Sequence, residues 1–490
     1  MSEVEDLFHS LQEFRPEYQK LFLAALQEGL CAVKLAKESG KYIGTYHEYP
    51  QVSFGQNGLP MLAPTIGGGP IDYSNCFRSY GRKPLANEDE LESFANLVQY
   101  VRSNEQLYRR FRFGADPPSI GEWKFEADKI QVLALVENCI NKYIHRFDSF
   151  NYDPECAESV TAPALSYIFD GKLNIKICIP ILFLNFEFDE YKVDSGVWVR
   201  RITTSEHLAR YGVKSYSASA HEKVIHSATH ALVLEDWHVP NTERMWDFGV
   251  LNSVSAYPLD LIDRLFGAIR ICTTCKTGYA QIYSVADGWE HHSQALLPCV
   301  QGTTLRAYPS EFENYYWNTK SVPCLSAEQT GQIADIFKKL SEARENSIAL
   351  SLKRLNRCLV RDEEEDVVLD ATIALEALLS DDGTQEMTHK LAMRVGALST
   401  LDNSLVRNPV QAFNDIKSIY GYRSAIVHGH KNVEKKRVVK IDTLTEIPAS
   451  QLSVDYVRLV LRVLLDFAKF REPKVIDQEL LLGNRDRAAR

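Results

Sequence analysis

The spacing of apolar positions changes character twice along the chain. Over the first 40 residues, Leu21, Phe22, Ala25, Leu30, Ala32 and Leu35 recur at helical intervals until Ser39-Gly40, so a helix leads the chain. Residues 88–111 and 126–147 repeat the helical pattern. The intervening stretch from Tyr49 to Asp72 is dense in Gly and Pro, including Gly67-Gly68-Gly69-Pro70. It lacks the Gly-Lys-Ser/Thr ending of a phosphate cradle and reads as an irregular surface loop. Near residue 155 the pattern shifts to short β-rich runs. Residues 173–188, 196–203 and 230–237 fit strands. A helix at 258–270 then leads into a further strand at 279–285.

From Ser326 onward strands nearly vanish. Amphipathic patterns follow one another at 326–342, 345–359, 363–379, 387–398, 410–428 and 453–470. Turn signals separate them: Asp381-Asp382-Gly383, Asn408-Pro409, and Gly429 where a helix should stop. The expected fold class is therefore an α+β N-terminal region, residues 1–325 with a sub-boundary near 155, followed by an all-α bundle over 326–490.

Composition bounds the function without naming it. A length of 490 residues suits two or three domains. With 45% hydrophobic and 24% charged residues the chain is an ordinary globular one. The most apolar run, Ile175 to Phe186, is too short to cross a membrane. The opening MSEVEDLFHS has neither a basic nor an apolar leader segment, so the expected location is cytoplasmic. Ten unevenly spaced cysteines read as reduced thiols. The net charge of −10 excludes a general nucleic-acid coat. Residues 326–490 carry 25 basic and 25 acidic residues, so the acidity lies upstream. Between Arg407 and Lys440, eight basic residues face two acidic ones.

Two metal-like patterns are weak. Cys272 and Cys275 form a Cys-x2-Cys pair with His291, His292 and Cys299 downstream, but no second pair exists, so buried thiols are the plainer reading. His221, His226 and His230 lack a His-Glu-x2-His signature and read as scattered surface histidines. The acidic run Asp362 to Asp366 opens a helix, where the N-terminal dipole favours negative charge.

The informative stretch is Tyr420-Gly421-Tyr422-Arg423-Ser424-Ala425-Ile426-Val427-His428-Gly429. Five residues of helix turn through about 500°, so Arg423 and His428 stand roughly 140° apart and do not share a face. Two copies of this helix paired about a two-fold axis would bring both residues of each copy into one cleft. Such a cleft suits metal-free RNA cleavage: an imidazole moves the proton of a ribose 2′-hydroxyl, and guanidinium groups hold the phosphate. Ser424 either positions the phosphate or fills space. The plainer reading is a surface arginine and a helix-terminal histidine complementing the dipole. Lys431, Lys435, Lys436 and Arg437 are the candidate RNA contacts, with His430 a titratable neighbour.

Four ordered segments, Ser347 to Leu355, Ala374 to Leu379, Lys390 to Val395 and Tyr422 to Gly429, resemble the Apea-like branch of the HEPN superfamily. Gly196 to Thr203 and Leu265 to Arg270 look like pieces of the β-rich region that often precedes such domains. The resemblance implies a helical bundle, a homodimer and, in active members, a metal-independent endoribonuclease serving phage defence or acting as a toxin. It implies no cofactor and no metal. It points to Arg423 as the phosphate contact and His428 as the acid/base. Glu376 either orients Arg423 or is a helix-packing acid. Ser424 departs from the Asn, Asp or His that many active members carry after the arginine. Some members are non-catalytic, so a dimeric binding or scaffold protein is the alternative. The N-terminal region is expected to sense an unknown trigger or select substrate.

Overall fold

The structure is a computed structural model, described over residues 3–66, 68–77, 84–112, 126–214, 220–314, 321–381, 386–402, 404–429, 433–441 and 445–483. Two helices lead it, α1 (Glu3–Leu11) and α2 (Arg15–Glu38). Pro16 sits in the first turn of α2, where a missing amide costs nothing, and Phe22, Leu26, Leu30 and Val33 form its buried stripe.

The Gly/Pro-rich stretch is not the irregular loop its composition suggests. It folds into an antiparallel hairpin, β1 (Glu48–Phe54) and β2 (Pro60–Ile66), in register from Glu48 opposite Ile66 to Phe54 opposite Pro60. A two-stranded ribbon has an outer edge on both strands, which is where proline is tolerated. The turn needs Gly58 at φ +77°, a backbone that other residues rarely adopt.

Helices α3 (Glu92–Ser103), α4 (Glu105–Phe111), α5 (Ala127–Phe147) and α6 (Pro154–Phe169) follow. The single helix expected over 88–111 is broken at Asn104, whose backbone is extended. Nothing in the apolar spacing announces α6, because Pro163 interrupts it. Its start is set instead by Asp153, which accepts from the Cys156 amide at 2.9 Å.

The middle of the chain builds the sheet: β3 (Lys172–Pro180), β4 (Asn185–Phe186), β5 (Glu190–Asp194), β6 (Val197–Arg201), α7 (Thr204–Arg210), α8 (Glu222–His226), β7 (His230–Pro240), α9 (Leu259–Cys272), β8 (Tyr279–Ala286) and β9 (Val300–Ala307). Its order is β5-β6-β7-β3-β8-β9, every neighbour antiparallel. The central strand β3 is buried on both faces over its second half, which is why its sequence is so apolar. One face joins the main core. The other packs a smaller cluster around Cys178, Val233, Tyr283, Ile225 and Phe312.

His226 and His230, expected at the surface, are instead buried, 5% and 0% exposed. His226 ends the five-residue α8 and His230 opens β7, so no helical i, i+4 pair exists. Among the described residues, no group of three or more His, Cys, Asp or Glu is placed to hold a metal ion. No helix among them is long and apolar enough to cross a membrane.

The last third comprises β10 (Cys324–Leu325), α10 (Ala327–Glu342), α11 (Asn346–Cys358), α12 (Glu364–Leu379), α13 (Met387–Leu398), α14 (Pro409–His428), the short hairpin β11 (Val438–Lys440) and β12 (Glu446–Pro448), α15 (Ala449–Asp466) and α16 (Pro473–Ile476). Helix α15 is its most buried member, enclosing Leu452, Val457, Leu461 and Leu464. Helix α9 belongs to the same packing unit. Gly267 lies so close to α11 that a Cβ there would collide with Leu352. The buried Arg270 donates to Asn356 Oδ1 at 2.7 Å and to Thr277 O at 3.1 Å. Arg458 and Arg462 of α15 cap the end of α9 by donating to Arg270 O (2.7 Å) and Ile271 O (2.8 Å). The main core thus runs across residue 325 without a break.

Candidate functional site

Helix α14 carries the Arg/His motif, and its ends are well specified. Asn408 and Gln411 form a reciprocal capping box, Pro409 occupies the first turn, and Gly429 closes the helix in the left-handed conformation at φ +60°. Ala412, Ile416, Ile419, Tyr420 and Tyr422 are buried against the bundle. The opposite side is polar. Asn414, Lys417, Ser424 and His428 are exposed, and Gly421 lies between them with nothing within 4 Å of where its Cβ would stand. These five residues follow at alternating three- and four-residue steps, so they form one outward stripe.

Arg423 lies off this stripe. Its side chain is 35% exposed and reaches toward α12, where Nη2 stands 3.5 Å from Glu376 Oε1. Its Nε is buried without a hydrogen-bond partner among the described residues. Glu376 therefore does contact the arginine, as the first of its two expected roles requires. Ser424 and His428 lie on the outward stripe, with His428 in the last turn of the helix. Within one chain, then, the structure brings Arg423 to Glu376 and sets Ser424 and His428 on a different face, as the helical angle requires.

Residues that the spacing did not single out frame the arginine. Tyr420, one turn earlier, is 5% exposed. Its hydroxyl donates to Thr372 O at 3.4 Å and neighbours the Glu376 carboxylate. Burial, reinforced by that carboxylate, pushes the phenol's pKa well above its ordinary value. Tyr422 on the other side donates to Glu365 Oε1 at 3.4 Å, and burial with the nearby acid raises it to about 12. Both phenols thus stay protonated at neutral pH. Nothing in the spacing of α14 alone marks Tyr420, since its partners lie on α12.

The basic segment after α14 folds back over it. Lys436 Nζ donates to Gly421 O at 3.2 Å. Arg437 makes a two-pronged ion pair with Glu364, at 2.8 and 3.0 Å, which holds that carboxyl below its ordinary pKa. Lys435 is exposed, and Lys431 and His430 lie outside the described residues. Arg407, counted with the positive cluster, is buried in a pair with Asp415 at 3.0 Å. Lys440 stands 3.9 Å from Glu446. Among the described residues the local positive field is therefore weaker than the residue count suggests, with Lys417, Lys435, Lys436 and Lys440 its exposed lysines.

Elsewhere, a groove of about 590 Å³ opens where the sheet region meets the bundle, lined by Lys276, Arg361, Asp362, Asp455 and Arg458 among others. Neither Arg423 nor His428 lines it. The chain matches no protein-family model, no curated protein and no solved structure.

Proposed function

We propose that the last third of the chain is a HEPN-type bundle which pairs with a second copy through the outward stripe of α14 and cleaves RNA without a metal ion. The observation that carries this reading is the placement of Arg423, half-exposed and tethered on one side by Glu376 at 3.5 Å, on the same helix end as the exposed Ser424 and His428. One copy alone divides these groups between two faces. Pairing two α14 helices along Lys417, Gly421, Ser424 and His428 gathers four groups, two arginines and two histidines, around one cleft. The empty space over Gly421 permits close approach of the second helix.

In this cleft one His428 removes the proton of the ribose 2′-hydroxyl, whose oxygen attacks the adjacent phosphorus. The other His428 gives a proton to the departing 5′-oxygen. The Arg423 pair holds the non-bridging oxygens as their charge grows. The products are a 2′,3′-cyclic phosphate and a 5′-hydroxyl. Lys435 and Lys436 contact the RNA backbone on either side. The N-terminal region serves to sense a trigger or select substrate, and the setting is phage defence or a toxin.

A second reading has an observation of its own. An Arg423 paired within its own chain to Glu376 is also what a non-catalytic dimeric binding or scaffold protein would show, its helices providing the interface. One measurement tests the pairing that both readings share, and a second separates them. Ser424→Cys should give an intermolecular disulfide under mild oxidation, as both readings expect if α14 lies on the dimer axis. Only the nuclease reading expects labelled RNA to acquire 2′,3′-cyclic phosphate ends in excess EDTA.

A further inference from the structure

We propose that two neighbouring cavities beside α7 hold a small anion with an apolar body, a phosphate monoester or a carboxylate, its charged head in the smaller cavity and its body in the larger. The cavities measure about 150 and 330 Å³ and share Tyr211 and Lys214, just past the end of α7. Ile225 and His226 of α8 line the smaller one. Leu208, Ser293, Leu297 and Pro298 line the larger. No residue of α14 lines either, so the binding stands whether or not the bundle cuts RNA.

The smaller cavity is backed by positive charge. Arg210 is fully buried, and its hydrogen bonds among the described residues go to neutral acceptors: Ile225 O and His226 O at 3.0 Å, Gln281 Oε1 at 3.1 Å, and His207 Nδ1. Burial lowers its pKa only to about 10, so it stays charged at neutral pH with no carboxylate bound to it to offset that charge. Lys214 adds a second positive charge. Its Nζ lies 4.9 Å from the Tyr211 ring centroid, and that ring stacks on His226 at 5.2 Å, which orders all three side chains. His226 is 5% exposed, and its Nδ1 is buried with no hydrogen-bond partner among the described residues. Burial and the charges of Arg210 and Lys214 keep the imidazole neutral, so a proton carried on Nδ1 is available to an anion. Glu222 is the acid at this cavity. It accepts from Lys214 at 3.3 Å with both side chains 58% exposed, an open pair that an incoming anion can displace.

The larger cavity suits an apolar body, with walls of Leu208, Leu297 and Pro298 and one polar anchor. Ser293 is 5% exposed, and its Oγ is buried with no hydrogen-bond partner among the described residues. An unpaired buried hydroxyl or imidazole destabilises the fold, and a ligand toward which each side chain can turn removes that cost. Glu48, an exposed acid of β1, borders this cavity, which leaves the smaller one for the anionic head.

The test is calorimetric titration of the full-length protein at neutral pH with phenyl phosphate, benzoate, inorganic phosphate and benzyl alcohol. Saturable one-to-one binding of phenyl phosphate or benzoate is expected, and the tighter of the two identifies the head group. Inorganic phosphate, which lacks the body, and benzyl alcohol, which lacks the charge, should each bind at least about tenfold more weakly. Lys214→Met, at an exposed position, should weaken the aromatic anion about tenfold, Ser293→Ala less so, and Arg423→Ala not at all. No saturable heat from either aromatic anion up to about 10 mM overturns the site, as does undiminished binding by both Lys214→Met and Ser293→Ala.

Discussion

Arg423 and Glu376 face each other across the α12–α14 boundary at 3.5 Å, with 35% and 27% of their side chains exposed. A pair this open is screened by water and contributes little to folding, about 0 to 1 kcal/mol. On the proposed nuclease reading, its consequence is orientation. Glu376→Ala should therefore leave the urea midpoint within the range of that small term while lowering RNA cleavage. A large loss of stability with cleavage intact would assign Glu376 to helix packing instead.

Helix α14 depends on its N-terminal cap. Asn408 accepts from the Gln411 amide at 2.9 Å, and Gln411 returns a bond to the Asn408 amide at 3.0 Å. Asn408→Ala should cost about 1 kcal/mol, measured by chemical denaturation. Asn408→Asp, which keeps the acceptor, should cost much less. Equal losses in the two variants would show that the cap contributes nothing.

Acid should weaken the sheet region before it protonates most carboxylates. Burial lowers His207 to about 2, His226 to about 3 and His230 to about 4, with the Arg210 charge assisting at the first two. In the unfolded chain each would titrate near 6.5. The unfolded state therefore binds more protons below that value, so stability is full above it and falls as the pH drops from about 6.5 toward 4 and below. The slope is at most about 1.4 kcal/mol per pH unit for each histidine. Denaturation at pH 7.5, 6 and 5 measures it. Equal stability at pH 7.5 and 5 would mean these imidazoles are not buried as described.

The two halves of the chain should not separate at residue 325. Helix α9 supplies Leu265, Phe266 and Ile269 to the core shared with α10, α11 and α15, and Arg270 is held by Asn356 of α11. A fragment of residues 326–490 uncovers that face and should aggregate, whereas one of residues 257–490 keeps α9. In the full chain, Asn356→Ala leaves the buried guanidinium short of a partner and should cost about 2 to 3 kcal/mol. A soluble, cooperatively folding 326–490 fragment would contradict this packing.

The helices of the last third were legible because their apolar period is clean and their ends carry Ser326, Asn408 and Gly429. The hairpin of residues 48–66 was not, since Gly and Pro signal a turn equally in a loop and in a ribbon whose edges are both free. Helix α6 was hidden by Pro163. Of the site, Arg423, Ser424, His428 and Glu376 follow from the motif and its resemblance, and the angle between Arg423 and His428 follows from helix geometry alone. Tyr420 escaped notice because a buried tyrosine in a helix looks like any core aromatic until the acid beside it is known. The same limit explains the basic cluster: counting charges cannot show that Asp415 and Glu364 already hold Arg407 and Arg437.

The most direct test of a composite Arg/His site is the cleavage rate of labelled RNA in excess EDTA for wild type, Arg423→Ala and His428→Ala, matched for dimer content. Wild-type cleavage leaving 2′,3′-cyclic phosphate ends, reduced at least about a hundredfold by either substitution, is expected. Cleavage that survives both substitutions, or that EDTA abolishes in the wild type, would contradict it.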